Sequence, residues 1–199
     1  MPQLLFYDDN HRYTVDGEEV PSVSELTRFL SRELYSDAPQ YMIDQAAKRG
    51  TSVHKATEAL DKFGTVEIEE DIVPYVQAYV KFRKEIPAEW EKIEWAVCND
   101  KLYAGTLDRY GKMNDQNIIL DIKTTANISG LHKVLYGAQL NLYRMAASKE
   151  VKIDGLWVLQ LKKDGTYKLH NLLVDDTVAN ACIAMHEAIK NTKRKGKKK

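Results

Sequence analysis

The chain has 199 residues, 44% of them hydrophobic and 29% charged, enough for one domain with its own core and ordinary for a soluble globular protein. No apolar run approaches the ~20 residues that span a bilayer. Two cysteines, Cys98 and Cys182, are too few for a disulfide framework or a four-cysteine cluster. The opening MPQLLFYDDN has neither the basic start nor the apolar length of a secretion signal, so a reduced, cytoplasmic setting is expected. The formal net charge of 0 conceals an asymmetry. Residues 190–199 carry seven Lys or Arg and no acid, which leaves 22 basic against 29 acidic side chains before them. Such a tail reads either as a phosphate-seeking arm or as a solubilising, disordered terminus.

In chain order, LLFYDDNHRYTVDGEEV reads as a strand, a turn near Asp8–Asn10, a strand through Tyr13–Val15 and a second turn at Asp16-Gly17. Ser22-Val23-Ser24-Glu25 spells a capping box before a short helix carrying Val23, Leu26 and Leu30. A helical pattern runs from about Pro39 to Lys62, with Gly50 as a candidate break, and another covers 72–85. Three strand-like runs follow, Ile93–Cys98, Leu102–Lys112 and Asn117–Lys123, with Asn99-Asp100 and Asn114-Asp115 as the turns of a meander. Residues 132–147 predict a helix, Ile153–Leu161 a strand, and Tyr167–Leu173 its hairpin partner across Lys163-Asp164-Gly165. Asp175 or Asp176 caps a last helix. Helix, three strands, helix, strand is the order of an α/β fold with a mixed β-sheet flanked by helices. One domain over 1–189, its core at about 72–162, is expected, with a disordered tail over 190–199.

The chemistry concentrates in AGTLDRYGKMNDQNIILDIKTT (104–125). Alternation along a strand puts Asp121 and Lys123 on one face and Leu120 and Ile122 on the other. If the second and third strands of the meander pair, Asp108 lies beside Asp121. Two carboxylates ~4 Å apart repel by roughly 4 kcal/mol at an effective dielectric of 20. A sheet keeps such a pair only with compensation: a proton, the Lys123 ammonium, or a hard divalent cation. An Asp121–Lys123 ion pair at a sheet edge is the plain structural alternative. His54 and Glu58 share a helix face and offer further ligands, or a solvent-facing pair. Gln139 and Tyr143 share another, as orienting groups or as a polar stripe.

Taken in order, His54, Gly105-Thr106-Leu107-Asp108, Asp121-Ile122-Lys123 and Gln139-Leu140-Asn141-Leu142-Tyr143 resemble the PD-(D/E)XK nuclease superfamily. The likeness is to its RecB-like branch, with phage-type and mitochondrial genome maintenance exonucleases. It covers roughly Arg49 to Arg144. Leu107 stands where the superfamily name has proline, and the four cysteines of an iron–sulfur cluster are missing.

The resemblance implies a restriction-endonuclease-like core of order α-β-β-β-α-β. It implies a Mg²⁺- or Mn²⁺-dependent DNA exonuclease acting at ends in recombination, repair or phage replication. His54, Asp108, Asp121 and the Ile122 carbonyl would ligate metal. Lys123 would position or deprotonate the water or stabilise developing charge. Gln139 and Tyr143 would support Lys123 or contact DNA, and Glu94 would be an outer acid or a strand-surface residue. DNA, single-stranded or duplex, is the implied partner, with a recombinase or single-strand-binding protein beside it. Lys48, Arg49, Lys55, Arg109, Lys133 and Arg144 lie near the motifs as phosphate contacts, and Tyr103, Tyr110 and Tyr136 as stacking platforms or packed core. A non-catalytic nucleic-acid-binding module and a structure-specific endonuclease are the alternatives.

Overall fold

A computed structural model describes residues 2–7 and 12–196, with side chains as far as Thr192. The expected turn at Asp8–Asn10 lies outside the described residues. Strands β1 (Leu4–Tyr7), β2 (Arg12–Val15) and β3 (Glu18–Val20) form a small antiparallel sheet. Asp16 and Gly17 join β2 to β3 with φ of 50° and 77°, the left-handed pair that a two-residue hairpin turn needs. Tyr13, Val15 and Val20 close over Ala104. The capping box is formed: Ser22 Oγ accepts the Glu25 N–H at 3.1 Å, and the Glu25 carboxylate accepts the Ser22 N–H at 2.9 Å. It opens α1 (Val23–Leu26), which is followed by α2 (Arg28–Leu34) and α3 (Gln40–Phe63).

Helix α3 runs through Gly50 without the expected break. Glycine costs about 1 kcal/mol inside a helix, and the burial of Val53 and Ala56 one turn on outweighs it. The helix stops instead at Gly64, which is left-handed. Next come α4 (Val73–Glu85), β4 (Ala88–Asn99), β5 (Tyr103–Met113), β6 (Gln116–Thr124), α5 (Gly130–Ala147), β7 (Gly155–Leu161), β8 (Tyr167–Leu172) and α6 (Asp176–Gly196). Strand β4 begins five residues before its apolar run, because Ala88–Trp90 still pair with Gly111–Met113 beyond a bulge at Trp90/Lys92. A Cβ on Gly111 would stand 2.0 Å from the Glu89 carbonyl oxygen, so the bulge needs glycine opposite it.

The main sheet has the order β4-β5-β6-β7-β8, antiparallel throughout except for the parallel pair β6–β7. That pair requires a crossover, and α5 supplies it. The run α4-β4-β5-β6-α5-β7 is the expected order, and the architecture is a mixed α/β fold with a five-stranded mixed sheet flanked by helices. On one face Leu107, Tyr110, Ile119 and Val158 meet Leu135, Leu142 and Ala179 of α5 and α6. On the other, Ile118, Leu120, Ile122 and Leu159 meet Val53, Tyr79 and Phe82 of α3 and α4. Helix α6 includes residues 190–196. No helix among the described residues is long and apolar enough to cross a membrane.

Candidate metal centre

The β5–β6 ladder ends at Arg109 opposite Leu120. One step further the same register sets Asp108 against Asp121, and there no backbone pairing forms. The Asp108 carboxylate takes over, accepting the Ile122 N–H at 2.6 Å through Oδ2. Side-chain alternation slips at the same point. Leu107 and Tyr110 both face the α5 side, while Arg109 turns to Thr57 and Asp61 of α3. Across β5, Ile93 pairs with Arg109 and Trp95 with Leu107, and Glu94 between them has a φ of 49°. Three adjacent strands are thus irregular along one line, and the gap in the ladder is where the polar side chains sit.

His54, on α3, reaches this gap. Its Nε2 lies 2.9 Å from the Ile122 carbonyl oxygen. A carbonyl only accepts, so Nε2 carries the proton and Nδ1 faces the acids. Nδ1 is 3.5 Å from Asp108 Oδ1 and 3.9 Å from Glu94 Oε1, and one donor atom from each of the three residues lies within 4.8 Å of the others. Burial works to lower the imidazole's pKa, but the carboxylates of Asp108 and Glu94 outweigh it and hold it at about 9.

Asp121 and Lys123 share a face, as alternation requires. Lys123 Nζ lies 3.0 Å from Asp121 Oδ1 and 2.8 Å from Oδ2, and 5.2 Å from the centroid of the Tyr136 ring. Only Oδ1 has hydrogen-bond geometry, so buried Oδ2 has no hydrogen bond among the described residues. Burial pushes the Asp121 carboxyl up, against the pull of Lys123. Burial also works to lower Lys123, and the two aspartates more than reverse it. An imidazole nitrogen and two converging carboxylates, those of His54, Glu94 and Asp108, make a donor set that fits a divalent cation.

The grouping differs from the expected one. His54 and Asp108 come together with Glu94, whereas Asp121 is held by Lys123. The Ile122 carbonyl orients His54, the outer partner that a ligating histidine needs. Tyr143 packs over Gly105, where a Cβ would stand 2.7 Å from its Cε1. Its phenol is pushed up by burial and further by the fields of Asp121 and Asp108. Gln139 does not touch Lys123; its amide donates to Thr27 Oγ1 at 3.4 Å. Glu58 turns away to Lys62, 2.6 Å off. Arg109 is fully buried and offers DNA nothing, and Arg144 pairs with Asp176. Tyr103, Tyr110 and Tyr136 are buried packing residues rather than stacking platforms.

Beside the cluster, a cavity of about 420 Å³ opens between α3 and the end of β6. Tyr35, Met42, Ala46 and Gly50 line it from one side and Ile122–Thr125 and Tyr136 from another, with Arg49 and His54 also lining it. Sequence reasoning left Glu94 undecided and missed Asp61 altogether. Neither residue belongs to a spaced motif. The one signal for Glu94 was an acid on the first strand of the meander, where the partner strand brings Asp108.

No family model matches the chain, and no curated protein matches it. Among solved structures, it is similar to the protein SSO0001, with 16% identity and a TM-score of 0.41 over 84% of this chain and 73% of that one. It is also similar to an alkaline exonuclease from Laribacter hongkongensis, with 15% identity and a TM-score of 0.40 over 74% of this chain and 85% of the other.

Proposed function

We propose that this chain is a divalent-metal-dependent deoxyribonuclease that hydrolyses phosphodiester bonds from DNA ends. The observation that carries the reading is the convergence of His54 Nδ1, Glu94 and Asp108 within 4.8 Å, one strand away from the Lys123–Asp121 pair. The motif series supports it from the sequence side. His54, Glu94 and Asp108 would hold Mg²⁺ or Mn²⁺, with Asp121 as the oxygen donor the resemblance adds; the Ile122 carbonyl, which the resemblance also counts as a ligand, accepts from His54 Nε2 instead. A bound divalent ion supplies charge relief at phosphoryl oxygens and a more acidic water.

The chain's own groups do the rest. The Ile122 carbonyl holds the His54 ring by Nε2–H, which keeps Nδ1 aimed at the acids. Lys123 Nζ, a donor fixed between Asp121 and the Tyr136 ring, would hydrogen-bond the attacking water or a phosphoryl oxygen. Tyr143 would wall the cleft, and Gln139 would brace it through Thr27 rather than touch the reacting atoms. The adjoining cavity is of ligand size and would seat one nucleotide of the strand end against Tyr35. Recombination, repair or phage replication would supply such ends.

The test is cleavage of end-labelled single- and double-stranded DNA, with closed circular DNA alongside, in Mg²⁺, Mn²⁺ or EDTA. Metal-dependent loss of linear DNA, with circles spared and Asp121→Asn inactive but folded, is expected. Cut circles would make the chain an endonuclease. Binding without cleavage in either metal would make it a non-catalytic module.

A further inference from the structure

We propose that Arg109 is a positioning residue for the metal centre, one buried guanidinium that holds all three candidate ligands in a single constellation. The inference rests on reading that cluster as a metal centre. Arg109 Nη1 donates to Glu94 Oε1 at 3.2 Å and to the Asp108 carbonyl oxygen at 2.7 Å. Nη2 donates to Thr57 Oγ1 at 3.3 Å, and that hydroxyl donates to the His54 carbonyl oxygen at 3.0 Å. Through its side-chain nitrogens Arg109 therefore reaches the Glu94 carboxylate, the Asp108 backbone and, by way of Thr57, the turn of α3 that carries His54.

The guanidinium is itself fixed from behind. Nε donates to Asp61 Oδ2 at 2.7 Å, and Asp61 also accepts from Tyr79 and Arg83 of α4. The Arg109 side chain is 0% exposed and that of Asp61 1%. A buried ion pair is weak evidence for stability as such, so its geometry calls for another account. A planar fork with five donors serves several acceptors at once, whereas an ammonium is a point charge on a flexible stem. The Glu94 backbone supplies an independent sign. Its left-handed φ of 49° is a conformation that persists only where neighbours over-determine it. Arg109 grips the Glu94 side chain, and Ile93 and Trp95 on either side are paired to β5. This fixes which way the carboxylate points, toward His54 and Asp108.

The experiment is direct Mn²⁺ binding to the purified full chain, read as loss of the free-ion electron paramagnetic resonance signal, with no DNA present. Wild type should bind and Asp108→Asn should not. Arg109→Lys, which keeps a cation beside Asp61, should weaken Mn²⁺ by about 10–100-fold while its unfolding stays cooperative. Combined with Glu94→Ala, it should weaken binding by less than the product of the two single effects, because the lost contacts are shared. Should Arg109→Lys fail to fold, Thr57→Val cuts the link to His54 without removing a charge, and a loss of about tenfold is expected. Wild-type affinity in Arg109→Lys and Thr57→Val, or effects that multiply cleanly with Glu94→Ala, would overturn the positioning role alone. A wild type that binds no Mn²⁺ would bring down the metal reading and this inference with it.

Discussion

Gly105→Ala tests whether the glycine of the G-x-x-D run serves the site by letting Tyr143 approach. A Cβ there would stand 2.7 Å from Tyr143 Cε1 and 2.9 Å from Val23 Cγ2, distances at which something must move. Neither neighbour yields easily. Val23 is buried in the α1 turn and Tyr143 lies against the same core. Overpacking of this kind costs about 1–3 kcal/mol, which for a chain of this size lowers the melting temperature by roughly 2–12 °C. Calorimetry would measure the cost and a double-mutant cycle its origin. If the ring is the obstacle, Tyr143→Leu makes room, and Gly105→Ala combined with it should cost less than the sum of the two by at least about 0.5 kcal/mol. The nuclease activity proposed above should fall in Gly105→Ala, since the ring proposed to wall the cleft would be displaced. A variant within 0.5 kcal/mol of wild type, or costs that simply add, would refute the reasoning.

Saturating Mn²⁺ at about 100 times its dissociation constant should add about 2.7 kcal/mol, a rise in melting temperature of roughly 5–11 °C. Asp108→Asn should lose that rise and still fold, because its amide oxygen can accept the Ile122 N–H as Oδ2 does now; an undiminished rise would remove Asp108 from the ligand set. Gly111→Ala should be the more damaging glycine substitution, since its Cβ would meet backbone at the Trp90 bulge, and urea unfolding would rank the two. Removing residues 190–199 should weaken DNA binding most at low salt and flatten its salt dependence. An unchanged slope would make those residues inert toward DNA.

Periodicity served well where one physical rule dominated. Asp121 and Lys123 share a face because a strand has period two, and their ion pair follows. The Ser22–Glu25 box forms because both hydrogen bonds are local. The register of a two-strand meander brings Asp108 level with Asp121, but the ladder stops one pair short of them. What failed to read through was non-local. Arg109 follows Asp108 directly and looked like a phosphate contact, yet the slip in alternation at Asp108 turns it into the core. Gln139 and Tyr143 share a helix face, but α1 and α2 pack against α5, so Thr27 captures Gln139. Glu94 and Asp61 are 33 positions apart by number and meet only through a guanidinium from a third element. No spacing rule encodes that.

The irregularities belong together energetically. A continuous β5–β6 ladder would have paired Asp108 with Asp121 in regular geometry and left two carboxylates side by side in a buried sheet. Breaking the ladder exposes an N–H of Ile122 that would otherwise lack a partner, and Asp108 satisfies it. The same break frees the Ile122 carbonyl for His54. Rotating Arg109 out of alternation puts a guanidinium where the core would take an apolar side chain, a cost that Asp61, Thr57 and Glu94 offset by filling its hydrogen bonds. Each departure from local preference is thus compensated by another departure within the same cluster, and beyond it the five strands keep regular pairing apart from the Trp90 bulge. Local rules fail together at functional sites, since a fold has no other reason to retain several linked costs. Sheet packing alone would be served better by apolar residues at Glu94, Asp108 and Arg109. That preference is why Glu94, Asp108 and Arg109 read as parts of a site rather than as flaws.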